Sequence, residues 1–188
     1  MKENKMEKRE NQRKTVLYIG MSLDGFIADR DGGVDWMEAA ASGAGDDGYS
    51  AFLQTVDTIV MGHTTYCQIV TGLSRGKWPY DGLQAYVITH RNGGSDRIRF
   101  TCQEPAALIS RLKKESGKDI WICGGADIAN QLISCDLIDQ YRITVLPVLL
   151  GNGIRLFHDR ADTLWLTLVS ARYSGELTEL CYERRTCR

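Results

Sequence analysis

Residues 118–133, KDIWICGGADIANQLI, constrain this chain more than any other stretch, because they pass from a buried strand through two glycines straight into a helix. The strand half, DIWIC, is an unbroken run of aromatic and β-branched residues, the pattern of a strand covered on both faces. The helix half carries Ile128, Ala129, Leu132 and Ile133 at one-face spacing. Between them Gly124 and Gly125 remove both Cβ atoms where the backbone turns. A ligand can then approach the main chain and the unpaired N–H groups that open the helix, which is the outline of a phosphate site. A tight turn is the competing reading.

The same grammar occurs a second time. Residues 58–61, TIVM, read as a short buried strand, and Gly62-His63-Thr64-Thr65 opens a helix running to about residue 70. Strands are expected at 15–22, 84–89 and 98–102, a helix at 49–55, and another from Pro105 to near Gly117, with proline at a first helical position. The segment 23–48, rich in Gly, Asp and Ala, reads as a long loop, and loops of that length in compact domains are functional or mobile. After residue 134 the pattern changes to long strands at 137–150, 163–174 and 177–184, the last two joined by a turn at Gly175. The fold class that follows is α/β: a mixed, mainly parallel sheet flanked by helices, with antiparallel C-terminal strands. Residues 1–14, almost wholly charged or amide-bearing, read as a flexible tail before a single domain at 15–188.

Composition removes several function classes. The net charge of -1 gives no footprint for nucleic acid or an anionic membrane, and no apolar run is long enough to span a bilayer. Cys67, Cys102, Cys123, Cys135, Cys181 and Cys187 form no CxxC pair and no metal-ligand spacing, so they read as reduced, mostly buried thiols of a cytoplasmic protein. No GxGxxG follows a strand, so this is not the Rossmann fingerprint.

Six motifs in series, MSLDGFIA, VDWM, IVMGHTTY, VITHR, ICGGADIANQLI and PVLLGNGIRLF, resemble the reductase family with the dihydrofolate reductase fold. The branch is the one similar to the C-terminal domain of the bacterial riboflavin-biosynthesis deaminase-reductase, and the resemblance covers about residues 16–183. It implies an NADPH-dependent reductase that passes a hydride to a small heterocycle. By the same resemblance, Gly62, His63, Thr64 and Thr65 lie under the cofactor's phosphates, beside a Gly124-Gly125 peptide that is cis in the family and flanked by Cys123, Ala126 and Asp127. Thr89, His90 and Arg91 fall at the adenosine ribose and its 2′-phosphate, and Ile27 and Ala28 at the nicotinamide amide.

Bland readings stand beside these: His63 solvated, Thr64 and Thr65 ordinary caps, Arg91 a surface arginine, and Asp127 a first-turn carboxylate that favours the dipole but would repel an inward phosphate. Trp36 reads as a wall of the substrate pocket. Asp24 is the first candidate for an active-site carboxylate, against a turn role with Gly25; Asp46 and Asp47 are second, against N-caps. Dihydrofolate reductases proper place a carboxylate five residues after the loop tryptophan; here that position is Ala41, which argues against folate. The alternatives are a riboflavin-pathway ribosylaminopyrimidine reductase, without the HxE and PCxxC zinc signatures of a fused deaminase, and a non-catalytic NADPH sensor. Apolar residues on both faces of the C-terminal strands point to a homodimer.

Overall fold

A computed structural model describes residues 13–41, 48–74 and 77–185. The strands are β1 (Thr15–Ser22), β2 (Phe26–Ala28), β3 (Val56–Gly62), β4 (Gln84–Ile88), β5 (Gly94–Ser95), β6 (Ile98–Thr101), β7 (Asp119–Gly124), β8 (Gln140–Leu146), β9 (Ile154–Arg155), β10 (Leu166–Ser174) and β11 (Leu177–Arg184). The helices are α1 (Asp35–Ala40), α2 (Tyr49–Leu53), α3 (His63–Cys67), α4 (Pro105–Leu112) and α5 (Ala126–Ser134); α3 continues as a π-helical turn, Gln68–Leu73. The main sheet runs β10-β11-β8-β1-β7-β3-β4-β6-β5. Its centre is parallel, from β8 through β1, β7, β3 and β4 to β6. Both edges are antiparallel, β11 and β10 on one side and β5 on the other. The expected architecture is the one found.

Alternation along the central strands builds two cores. Leu17, Val60, Ile120, Ile122 and Ile143 face α4 and α5, meeting Leu108, Leu112, Ile128 and Leu132. Val16, Tyr18, Ile59, Met61, Trp121 and Val87 face the other way, against Phe52 and Ile69. Each fully buried Leu or Ile contributes about 1.5–3 kcal/mol, which is why the continuous apolar runs end up central.

The expectations failed where local sequence does not control pairing. The long loop at 23–48 contains β2 and α1. β2 has three residues and pairs only with the two-residue β9, across more than a hundred positions of sequence, so no local period announces it. β8 stops at Leu146 rather than running to residue 150, because Pro147 offers no N–H to extend the ladder. α4 ends at Leu112, short of Gly117, and β10 begins at Leu166. Residues 13 and 14, expected in the tail, are part of the folded structure, and residues 1–12 lie outside the described residues. Arg13 is buried, its side chain 5% exposed, and forms an ion pair with Asp57. It also donates to the Thr58 hydroxyl at 2.7 Å and the Lys118 carbonyl at 2.5 Å.

Candidate active site

The two strand-glycine-helix units are neighbours in space. β3 and β7 are adjacent and parallel, with Met61 opposite Gly124, so both helices start at the same end of the sheet. A Cβ on Gly62 would lie 3.9 Å from the Gly125 nitrogen and 3.3 Å from Ile128 Cδ1. The Thr65 hydroxyl lies over the glycine pair, 3.5 Å from where a Cβ on Gly125 would sit. The Gly124-Gly125 peptide is cis. Neither helix start has a side-chain cap, so the first N–H groups of α3 and α5 are left to solvent or a ligand.

These residues line a groove of about 350 Å³. One wall is Gly62, His63, Thr64 and Thr65, the opposite wall Gly125, Ala126, Asp127 and Ile128, and Ile27, Ala28 and Ile154 close the side. Ile154 belongs to β9 and escaped the sequence reading. It is brought there by the β2–β9 pairing, which Gly153 permits: at φ +151, a Cβ on it would collide with the Ala28 carbonyl. The His63 ring stands edge-on to Phe100 at 5.9 Å, with Cys67 Sγ 3.6 Å from its Nδ1. Asp127 is exposed, and its carboxylate is 4.0 Å from His158 Nε2. Ile88 also lines the groove; Thr89, His90 and Arg91 follow it in sequence and are not on its wall. There the Arg91 N–H donates to the Thr89 hydroxyl at 3.1 Å, and the His90 and Arg91 side chains are exposed.

The groove opens into a cavity of about 450 Å³, with Ile27, Thr65, Gln68 and Gly125 bordering both. The cavity floor is sheet: Tyr18 and Gly20 of β1, Trp121 and Cys123 of β7, Thr144 and Leu146 of β8, Leu177 of β11. Its roof comes from Val34, Met37 and Ala41 along α1, Tyr49, Ile69 and Tyr80. Gln68 ties roof to wall by donating from Nε2 to the Gly32 carbonyl at 2.6 Å. Burial pushes the Cys123 thiol up to about 12, so it is a neutral wall group and not a thiolate nucleophile. Burial, and then the proximity of Cys123 and Tyr49, holds the Tyr80 phenol well above its ordinary value.

Two sequence assignments are not on the described cavity wall. Asp24 is absent from the cavity wall. Its carboxylate accepts from the Ser22 hydroxyl at 2.6 Å, the Gly151 N–H at 2.7 Å and the Leu150 N–H at 3.1 Å, which makes it a loop clamp. The Ser22 hydrogen bond leads the causes that hold it below the usual carboxylate value. Trp36 is not on the wall either. A helix turns about 100° per residue, so Val34, Met37 and Ala41 share the cavity face and Trp36 is rotated off it. Its indole N–H is buried with no partner among the described residues. Asp46 and Asp47 lie outside the described residues. Tyr18, Trp121 and Thr144 were missed because alternation shows that they share one sheet face but not which part of that face lies open.

A family model for the RibD C-terminal domain matches residues 13–178. The chain belongs to the RibD C-terminal domain family. It is 41% identical over 177 residues to uncharacterized protein YwjB of Bacillus subtilis (strain 168), covering 92% of this chain and 99% of that one. A crystal structure from Shewanella sp. PV-4, named for riboflavin biosynthesis, superposes with TM-score 0.79 at 26% identity, over 92% of this chain and 99% of that one. Dihydrofolate reductase from Enterococcus faecalis, complexed with NADP(H), superposes with TM-score 0.66 at 13% identity, over 93% of this chain and 99% of that one. That last likeness is one of fold. The RibD C-terminal domain fold thus carries here an elongated site made of a groove over two helix starts and a cavity beyond it.

Proposed function

We propose that the protein is an NADPH-dependent reductase that transfers a hydride to a polarised C=N or C=O of a small pterin- or pyrimidine-like heterocycle. The observation that carries this reading is the junction at Thr65 and Gly125, where a groove suited to a dinucleotide opens into a cavity suited to a ring. The residues present fit the cofactor. Uncapped N–H groups and the Thr65 hydroxyl would hold the phosphates, Ile27 and Ala28 would flank the nicotinamide, and Thr89 to Arg91 would receive the adenosine end.

When bound, the nicotinamide supplies the hydride; NADPH, a proton and the oxidised heterocycle give NADP⁺ and the reduced heterocycle. The chain's own part is to orient two rings face to face and to exclude water with Met37, Tyr49 and Tyr80. Among the described residues the cavity wall holds no Asp, Glu, His or Lys, and the proton comes from water or an acid. Two further expectations join this reading. The protein acts in the cytoplasm, its half-buried Cys123 and buried Cys181 serving as small apolar groups. It also pairs through β10, the edge strand that exposes Leu168, Val169 and Tyr173.

The test is calorimetry with NADPH, followed by spectroscopic measurement of NADPH oxidation against a panel of heterocycles. Binding with turnover supports the reductase; binding without turnover on any acceptor would favour a cofactor sensor, and no binding would end both readings.

A further inference from the structure

We propose that the substrate of this site is a flat, uncharged ring system bearing neither a phosphate nor a carboxylate. The proposal rests on the reductase reading for its chemistry and narrows it to a substrate class. Among the described residues the cavity wall has no charged side chain: its polar groups are the hydroxyls of Tyr18, Tyr49, Tyr80, Thr65 and Thr144, the Gln68 amide and a neutral thiol. An anion taken into such a space gives up its hydration and meets no counter-charge, and a buried charge without a partner is strongly disfavoured.

Ala41, five residues after Trp36, faces the cavity and brings no charge to it. The absence is therefore at the wall itself. The charged pair on this face of the sheet is joined to itself: Arg142 donates to Glu179 at 2.7 Å, with both side chains largely buried, while Arg142 Nε and Glu179 Oε2 have no partner among the described residues. Arg142 also lies 4.9 Å from the Tyr18 ring centroid and 5.1 Å from that of Phe52, so its guanidinium is held against aromatic rings on the same face of the sheet.

The walls also select for shape. Trp121 meets Tyr49 at 5.9 Å and Tyr80 at 5.0 Å, both edge-on, and Tyr49 meets Tyr18 at 5.9 Å. Four linked rings in a cavity of about 450 Å³ offer apolar faces and edges to a planar aromatic ligand, with hydroxyls to satisfy its ring nitrogens and carbonyls.

The experiment titrates the full-length protein by calorimetry, with and without NADP⁺, using matched pairs that differ by one anionic group. The pairs are pterin against pterin carboxylate, and a ribosylaminopyrimidine against its phosphate. The neutral member of at least one pair should bind, and more tightly than its anionic partner by roughly 100-fold or more. Equal or tighter binding of the anionic members would overturn the proposal. Failure of both neutral members to bind would overturn it as well. NADPH titrated separately keeps the two readings apart. Neutral-ring binding without NADPH binding ends the reductase reading alone, and NADPH binding with a preference for the phosphate ends this proposal alone.

Discussion

The carboxylate of Asp24 accepts a hydrogen bond from the Gly151 N–H at 2.7 Å, joining the turn after β1 to a loop 127 positions further along the chain. The Leu150 N–H and the Ser22 hydroxyl complete its partners, and the Ser22 hydroxyl in turn accepts from the Phe26 N–H at 2.9 Å. Asp24 therefore fixes the entry to β2 and the loop leading to β9, the two strands that close the side of the groove.

Asp24→Asn should lower thermal stability while leaving turnover per folded molecule little changed. The folded carboxylate is held below its ordinary value, so its contribution is present above the unfolded value, about 3.9 for Asp, and is lost as pH falls through the folded one. The melting-temperature gap between wild type and variant should be full near neutral pH and close in strong acid. A variant that melts like wild type but turns over slowly would return Asp24 to the chemistry.

Arg13→Ala should be among the most damaging single changes outside the site. It removes the partner of Asp57 and empties donors from the Thr58 hydroxyl and the Lys118 carbonyl, tying β1's entry to β3 and β7. Breaking a buried pair costs about 3–5 kcal/mol, and since Asp57 stays 37% exposed, roughly 2–4 kcal/mol is expected. A urea midpoint shifted by that amount at unchanged slope would confirm it.

What the sequence revealed follows from the range of the forces involved. The parallel centre was legible because β1, β3 and β7 are apolar on both faces, and the two glycine turns were legible because only a missing side chain allows that approach. The aspartate role was not, since a carboxylate in an SLDG turn looks the same whether it faces a ligand or clamps a loop more than a hundred residues away. β2, β9 and the cavity face of α1 share that cause: they depend on pairings between distant short segments, which leave no periodic trace.

Gly125→Ala offers a clean test of the groove. Gly125 has φ -82 and ψ -162, open to any residue, and an added Cβ would meet only the Thr65 hydroxyl at 3.5 Å, an ordinary contact. The methyl would instead occupy the point where groove and cavity join. Folding stability should change little and NADPH affinity fall about 10-fold, or 1.4 kcal/mol. Calorimetry beside a thermal melt separates the two effects, and unaltered NADPH binding would remove Gly125 from the site.

Leu168→Lys should convert a dimer to a monomer. β10 is paired on one side only, and it presents Leu168 at 52% exposure, Val169 at 54% and Tyr173 at 87%. A lysine on an open edge strand blocks further pairing. Light scattering should give twice the 21.1 kDa chain mass for wild type and the single mass for the variant. A wild-type protein that scatters as a monomer at micromolar concentration would dispose of the dimer.

Arg91→Ala should separate NADPH from NADH. Arg91 follows β4 three residues after Ile88 of the groove wall, its guanidinium exposed and its N–H bonded to the Thr89 hydroxyl, so the fold does not depend on its side chain. A guanidinium presents a fixed fork of donors to a 2′-phosphate, and such charge-assisted bonds contribute about 1.5–3 kcal/mol, or roughly 10- to 100-fold in dissociation constant. The variant should lose that factor for NADPH and almost nothing for NADH, which has no phosphate there, with His63 or His90 retaining part of the preference. Salt should erode the wild-type advantage as well, because the site is open to solvent. Equal losses for both cofactors would show that Arg91 supports the fold, and a wild-type protein that binds NADH as tightly as NADPH would end the assignment before any variant was made.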